Sequence, residues 1–312
     1  MGAIVWLNDG TGHFTDSGQR LAIGTYLALA DLDGDGALDV LLGSYGKPLT
    51  VWWNSGSGTF LQGPTSLAPA GCGALGVGDL NGDGRPDIFV GMRSADLVLL
   101  NAGDRAFTDS GQRLGYAPTG GVALGDMDGD GDLDVVAAGW DEPGHVWAND
   151  GTGRLTSLCE LATTTLHVHG AVLADIDGDG DLDAFFALAG GICCRNVWLN
   201  DGTGRLTPTT FNLGVPSDQG IAVADLNLDG RLDVAMAVGS TVPSVSTVWL
   251  GQETGLVDSG LRIGTTFAGG VALGDLDGDG DLDLFIAFLS LVGPPYEYTP
   301  CPNEVWFNTT VP

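Results

Sequence analysis

Six times along this 312-residue chain an acidic run of the form D-x-[DN]-x-D-G-x-x-D recurs, starting at Asp31, Asp79, Asp126, Asp175, Asp225 and Asp275. The intervals are 48, 47, 49, 50 and 50 residues. A fixed period of this length means one supersecondary unit used repeatedly. Each unit reads alike. A small, apolar stretch such as Gly120-Gly121-Val122-Ala123-Leu124-Gly125 leads into the acidic run, and a β-rich stretch such as Leu133-Asp134-Val135-Val136-Ala137-Ala138 leaves it. A third stretch has the form Val-Trp-x-Asn, and an Asn-Asp-Gly-Thr-Gly turn opens a fourth, such as 107–114. Gly, Asn and Asp tolerate φ > 0, so these turns read as hairpins. No useful window shows a 3.6-residue period, which leaves almost no place for a helix. Repeats of about 40–50 residues with four short strands predict an all-β fold, a β-propeller of four-stranded blades.

Strand counting bears on closure. The third-strand motif appears seven times, around Trp6, Trp52, Leu99, Trp147, Trp198, Trp249 and Trp306, whereas the other three strands appear six times each. The last repeat ends at Val305-Trp306-Phe307-Asn308 without a fourth strand, and residues 14–21 supply one at the opposite end. The expectation is one domain over 1–312 with six blades, in which residues 1–22 complete the last blade by pairing the N- and C-terminal strands. One third strand, at Val5 or Val305, is then surplus. A seven-bladed ring with an incomplete blade is the alternative. The repeated Val-Trp-x-Asn tryptophans are expected to pack between blades.

The acidic runs carry the chemistry. Ca²⁺ is a hard cation that takes 6–8 oxygens at about 2.3–2.6 Å from a flexible cage. Side chains at loop positions 1, 3, 5 and 9, with the backbone carbonyl of position 7, supply that sphere, and glycine at position 6 permits the sharp turn. The expected ligands are Asp31, Asp33, Asp35, Ala37 and Asp39 in the first loop, then Asp79, Asn81, Asp83, Arg85 and Asp87 in the second. The third offers Asp126, Asp128, Asp130, Asp132 and Asp134; the fourth Asp175, Asp177, Asp179, Asp181 and Asp183. The fifth offers Asp225, Asn227, Asp229, Arg231 and Asp233, and the sixth Asp275, Asp277, Asp279, Asp281 and Asp283. No loop has Glu at position 12, so these are strand–loop–strand sites and not EF-hands. Zn²⁺ or copper would require His or Cys, which the loops lack. About six structural Ca²⁺ ions are expected. They would offset part of a formal net charge of -29. Without them the clustered carboxylates repel, so binding and folding should be coupled.

The chain resembles the FG-GAP, or integrin α-type, repeat family, including the VCBS-type repeats of bacterial secreted proteins. Asp126-Met127-Asp128-Gly129-Asp130-Gly131-Asp132-Leu133-Asp134 and its five counterparts carry the match, with Phe267-Ala268-Gly269-Gly270 and Tyr116-Ala117-Pro118 resembling the segment that names the family. The resemblance implies a propeller with Ca²⁺ between the first and second strands of each blade. Leu228 stands where the other loops have glycine, and Pro86 sits within the second loop. The second and fifth loops have three acidic ligands each and should bind more weakly.

Composition narrows the partners. One lysine, Lys47, and ten arginines leave no basic surface for nucleic acid. No stretch reaches the ~18–20 apolar residues of a membrane span. Extracellular Ca²⁺ modules bind on the order of 10⁻⁴–10⁻³ M, which argues for secretion or surface display. Five cysteines, with a bond from Cys193 or Cys194 to Cys301 as one option, are expected mainly as thiols. On the face opposite the loops the connections hold Tyr26, Tyr45, Tyr116, Trp140, His145, His167, His169, Tyr296 and Tyr298, a possible ligand face. His167 and His169 alternate on one strand but lack an evident third ligand. No nucleophile elbow or phosphate loop occurs. The expected function is an extracellular adhesion or lectin-like binding module for a glycan or protein, not an enzyme. The alternatives are a carbohydrate-active lyase or hydrolase, or a structural spacer or filament subunit self-associating through the spare edge strand.

Overall fold

The computed structural model describes residues 2–64, 66–140, 142–161, 167–189, 196–209, 213, 218–239, 245–253, 255–264, 267–292, 297–300 and 303–309. It is all-β, without helices among these residues: six four-stranded sheets, the blades of a propeller, and one two-stranded sheet. The chain forms two compact units, one of residues 1–7, 14–166 and 202–205, the other of 8–13, 167–201 and 206–312.

Strands β1 (Ile4–Asn8) and β2 (Phe14–Arg20) pair with each other as the two-stranded sheet. Blade 1 comprises β3 (Tyr26–Ala30), β4 (Asp39–Ser44), β5 (Lys47–Asn54) and β6 (Phe60–Gln62). Blade 2 has β7 (Cys72–Gly78), β8 (Asp87–Met92), β9 (Leu97–Gly103) and β10 (Ala106–Asp109), and blade 3 has β11 (Thr119–Gly125), β12 (Asp134–Gly139), β13 (His145–Asn149) and β14 (Leu155–Glu160). Blade 4 runs β15 (His167–Ala174), β16 (Asp183–Ala189), β17 (Val197–Leu199) and β18 (Thr207–Pro208). Blade 5 runs β19 (Asp218–Ala224), β20 (Asp233–Val238), β21 (Ser246–Gln252) and β22 (Gly255–Ile263). Blade 6 has β23 (Phe267–Gly274), β24 (Asp283–Val292), β25 (Glu297–Pro300) and β26 (Glu304–Trp306).

The first five blades are simple antiparallel meanders in chain order. Blade 6 differs: β25 pairs with the far end of β24 and β26 with its near end, so two short strands share the third-strand edge. Residues 14–20, expected as the outermost strand of this blade, are β2, and their hydrogen-bonded neighbour is β1. The surplus third strand is therefore the one at Val5, while Val305 takes the third-strand register opposite Phe285.

The core lies between blades. In the first unit Leu41, Val51 and Trp53 of blade 1 pack with Ile88, Val90 and Leu99 of blade 2. Phe89 and Val98 of blade 2 pack with Val135 and Trp147 of blade 3. In the second unit Phe185 and Val197 meet Val234 and Leu256, and Ala235 and Val248 meet Ile286 and Phe288. Of the repeated tryptophans, Trp147 and Trp198 are 8% and 1% exposed, and Trp52 and Trp249 are half-buried. Glycine allows the inner strands to approach. A side chain at Gly76 of β7 would collide with Val122 and Leu124 of β11.

A buried carboxyl on the non-loop side reinforces one such interface. Asp96, 2% exposed, accepts hydrogen bonds from the Met92 amide (2.7 Å) and the Thr119 hydroxyl (2.9 Å) across blades 2 and 3. Burial pushes it up to about 7. Its folded value thus exceeds its unfolded one, so its contribution is full below about pH 4 and is lost as pH rises through about 7. Asp96→Asn, neutral throughout, should match the parent near pH 4 and exceed it at pH 8 by on the order of 4 kcal/mol, read by urea unfolding at both pH values.

Candidate metal centre

All six acidic loops connect a first strand to a second, as the repeat predicts. Each reverses through left-handed backbone at positions 4 and 6. Gly129 and Gly131 show it at φ 78° and 96°. In the fifth loop position 4 is Leu228 at φ 58°, a conformation that costs a side chain about 1 kcal/mol or more. Leu228→Gly should stabilise the protein by about 0.5–1 kcal/mol in denaturant unfolding, part of the relief being returned as unfolded-state entropy.

The carboxylates converge. In four loops three of them each present an oxygen such that all three lie within 4.8 Å of one another: Asp31, Asp33 and Asp39; Asp126, Asp128 and Asp134; Asp175, Asp177 and Asp183; Asp275, Asp277 and Asp279. Oxygens sharing one Ca²⁺ at about 2.4 Å lie no more than about 5 Å apart, so these groups have the right span for a single ion. The donor set is all oxygen. Asp128 Oδ1 is buried without a hydrogen-bond partner, an arrangement that wants a cation. Desolvation first, and neighbouring carboxylates second, raise Asp128, Asp177, Asp277 and Asp281 above the ordinary carboxylate range. The residues fit Ca²⁺. When bound, the ion would neutralise the cage; the chain's part is to hold the oxygens in place.

Position 1 holds the turn. Asp126 accepts from the Gly129 and Gly131 amides at 2.8 and 3.0 Å, and the first, fourth and sixth loops repeat the pattern. Position 9 does something the sequence did not disclose. Asp39, Asp87, Asp134, Asp183, Asp233 and Asp283 are at most 1% exposed. Each accepts, on one oxygen, the amide of loop position 2 and, on the other, the amide that ends the third strand. For Asp134 these donors are Met127 and Asn149, both at 2.8 Å. The same pair of bonds recurs in the other five blades. A carboxylate oxygen keeps a second lone pair after one such bond, so the staple and a metal bond are compatible. Burial raises Asp39, Asp87, Asp134, Asp183 and Asp233. The third-strand asparagine then ties neighbouring blades: Asn101 Nδ2 donates to Leu32 O and Asn149 Nδ2 to Leu80 O, both at 2.8 Å. In the second unit Asn308 Nδ2 donates to Leu226 O, and Asn8 Nδ2 to Leu276 O.

Three loops have a carboxylate paired with an arginine. Arg85 at position 7 of the second loop bonds Asp83 at 2.5 Å, and Arg231 at the same place in the fifth approaches Asp229 at 3.9 Å and Glu253 at 3.6 Å. In the first loop Arg105, from the β9–β10 turn, bonds Asp33 through Nε (2.7 Å) and Nη2 (2.6 Å). The loops with asparagine at position 3, Asn81 and Asn227, are the ones with arginine at position 7. Their lower charge agrees with weaker expected binding.

The expected ligand face resolves into clusters. In the first unit Tyr26 meets Tyr45 edge-on at 5.6 Å, with Arg93 over the Tyr45 ring at 4.5 Å. Tyr116, 69% exposed, lies 6.5 Å from His145, which lies 4.9 Å from Trp147. Burial lowers His145. The space under Tyr116 and His145 is about 10 Å³, room for one water and no ligand. Trp140 is half-buried at the end of blade 3's second strand. In the second unit a β-bulge at His169 breaks the strand alternation assumed for it and His167. Among the described residues neither histidine joins a group of three metal-ligating side chains. Tyr296 lies outside the described residues, as do Asp141, Cys193, Cys194 and Cys301, and Tyr298 is placed only as backbone of β25. Cys72 and Cys159 are free thiols.

The second unit also holds a cleft of about 670 Å³, lined by Asp177, Leu199, Arg231, Gln252 and Glu253 among others. It lies beside the fourth and fifth loops, not opposite them. The signal in the sequence was the fifth repeat's Gly251-Gln252-Glu253-Thr254-Gly255, which replaces the usual Asn-Asp-Gly-Thr-Gly turn.

Fold and loops together define a β-propeller whose blades are punctuated by aspartate cages. The FG-GAP-like repeat model matches residues 31–90, 79–137 and 126–186, a span of half the 312-residue chain, and the protein belongs to that family. No curated protein sequence matches it. Among solved structures it is similar to the BP39L lectin from Burkholderia pseudomallei, at 16% identity and a TM-score of 0.67, covering 98% of this chain and 94% of that one. It is similar also to an Agrocybe aegerita lectin that recognises non-reducing terminal N-acetylglucosamine, at 20% identity and a TM-score of 0.56, over 91% of this chain and 80% of that one. An ancestral GH74 enzyme matches at 13% identity and a TM-score of 0.52, over 97% of this chain but 40% of that one. At these identities the likeness is one of fold.

Proposed function

We propose that the protein is an extracellular binding module for a glycan or protein partner, its propeller held by structural Ca²⁺. The observation that carries the reading is the repeated oxygen cage, with three carboxylate oxygens within 4.8 Å in four separate loops. A divalent ion would neutralise cages of that charge, and the range usual for extracellular calcium modules, on the order of 10⁻⁴–10⁻³ M, matches the calcium supply found outside cells. A scaffold so fixed presents aromatic side chains on its connections, where Tyr26, Tyr45 and Tyr116 stand with Arg93 and His145. The two lectins sharing the fold make a glycan the first ligand class to test.

A glycan array probed in millimolar calcium provides the test. Retention on particular glycans, lost with Tyr116→Ala or Tyr45→Ala and without any product, supports the module. Product release would replace it with an enzyme, and failure to retain any glycan would leave only the protein-partner form of the proposal.

A further inference from the structure

Blade 5 turns between its third and fourth strands over a shorter run than the blades of the first unit. Asn54 pairs with Phe60, Asn101 with Phe107 and Asn149 with Leu155, each across five intervening residues. Gly251 pairs with Leu256 across four. The change removes a side chain as well as a residue. The Gly251 amide donates to Asp233 at 2.8 Å, as the Asn149 amide donates to Asp134. Gly251 has no side-chain amide to send to the preceding blade, whereas Asn149 Nδ2 donates to Leu80 O and Asn308 Nδ2 to Leu226 O.

Blade 3 shows what the usual turn covers. A Cβ at Gly153 would lie 3.1 Å from Leu100, 3.4 Å from Asn81 and 3.7 Å from Leu80 O, and one at Gly82 would lie 3.5 Å from Gly151 O. The turn rests on the second loop and on the third strand of blade 2. The equivalent positions in blade 4 are Ile176, Asp177, Gly178 and Leu199, and all four line the cleft of about 670 Å³. The cleft is therefore the seat of a turn that blade 5 lacks. Its volume falls within the range of small-ligand sites, about 300–1,000 Å³.

The lining is mixed. Val197 and Leu256, both buried, form an apolar floor with Leu199, and Arg231, Gln252 and Glu253 stand exposed around it. In the second loop Arg85 is engaged twice, Nε on Asn101 O at 3.0 Å and Nη2 on Asp83 at 2.5 Å. Arg231, at the same loop position, has carboxylates at 3.6 Å (Glu253) and 3.9 Å (Asp229), beyond hydrogen-bond reach. A guanidinium only donates and a carboxylate only accepts, so a hydroxyl set between them satisfies both. Asp177 and Asp229 belong to their cages. Arg231 and Glu253 remain as one cation and one anion, a pair that suits a neutral ligand.

We propose that this cleft is a second ligand site and takes a neutral sugar. Vicinal hydroxyls bridge Arg231 and Glu253, and a further hydroxyl donates to Ile176 O in place of the missing asparagine. The C–H face of the ring lies on Leu199 and Leu256. The inference rests on the reading of the protein as a glycan-binding module, but it needs none of the aromatic clusters of the first unit.

Calorimetric titration of the full chain in millimolar calcium, with maltose, cellobiose and lactose as probes, tests the site. At least one should bind one to one, and the charged sugars glucosamine and glucuronic acid should bind at least about tenfold more weakly. Glu253→Gln and Arg231→Ala should each weaken binding at least about tenfold. Replacing residues 251–255 with the blade 3 run Asn-Asp-Gly-Thr-Gly-Arg refills the cleft. It should abolish binding while the melting temperature stays within a few degrees of the parent's. Tyr116→Ala should leave the affinity unchanged. Binding that survives the refilled turn and is lost with Tyr116→Ala or Tyr45→Ala would overturn this site and keep the module reading. Failure of all three disaccharides to bind would also overturn it, even where the array retains other glycans. So would tighter binding of the peptide Asn-Asp-Gly-Thr-Gly than of any sugar, since the cleft would then be a seat for a protein turn.

Discussion

Chelation with EGTA should lower the melting temperature by on the order of 20 °C, and Ca²⁺ should restore it. The size follows from linkage. A ligand at a hundred times its dissociation constant, which means about 10 mM Ca²⁺ for sites of about 10⁻⁴ M, stabilises the folded state by about 2.7 kcal/mol per site, and the four loops with converging oxygens would together contribute about 10 kcal/mol. At about 2 °C per kcal/mol for a chain of this size, the shift is large. Mg²⁺ should restore less, because it demands a tighter octahedron and keeps its waters. The sign with pH separates the two forms. Without metal, desolvation and mutual repulsion hold Asp128, Asp177 and Asp277 above the usual 3.8. Groups raised in this way contribute stability in acid that is lost as pH rises through their folded values. The metal-free protein should therefore be more stable near pH 4, at the ordinary carboxylate value, than at pH 7.5. The loaded protein should show the reverse, because protons compete with the cation for the same oxygens. Coincident melting curves with and without EGTA, at both pH values, would remove calcium from the account of this fold.

The part of the site that was legible in the sequence is the part set by local chemistry. Loop positions 1, 3 and 5 and the glycine at 6 act over a handful of residues, so their spacing alone located the cages. The strand count was also local, which is why six blades could be read. Long-range geometry was not readable. The seven third-strand motifs left one strand over, and only hydrogen bonding shows that β1 takes β2 and leaves β26 to β24. The bulge at His169 inserts one residue into β15 and interrupts its strand alternation. Arg105 is 72 residues from the Asp33 it bonds, and no pattern in the sequence links the two. The same holds for Gln19 and Gln112, whose cross-blade bonds join turns about forty residues away. Position 9 is the instructive case. Its spacing marks it as a metal ligand, but its two amide partners lie in different strands, and one of them depends on where the third strand ends.

Position 9 therefore carries the second large effect. Asp134→Ala should destabilise the protein by about 3–5 kcal/mol in calcium and still destabilise it, by less, in EGTA. Asp134 is wholly buried and accepts the Met127 and Asn149 amides at 2.8 Å each. Truncation leaves two buried donors unpaired, at about 1–3 kcal/mol apiece, together with a small cavity. In calcium it also removes an oxygen from the cage formed with Asp126 and Asp128. In EGTA the loss is partly offset, since the carboxylate is itself destabilised by burial there. Asp132→Ala, two residues away, should cost less than about 1 kcal/mol, because position 7 contributes its carbonyl to the ion and not its side chain. Asp87→Ala provides the sharper control. Its loop has only three acids, so less metal binding is at stake, yet Asp87 makes the same two bonds at 3.0 and 2.7 Å. If the staple rather than the ion dominates at position 9, Asp87→Ala and Asp134→Ala should cost similar amounts in EGTA and diverge only in calcium. Equal and small costs for Asp134→Ala and Asp132→Ala in EGTA would show the staple to be idle and return position 9 to the metal alone.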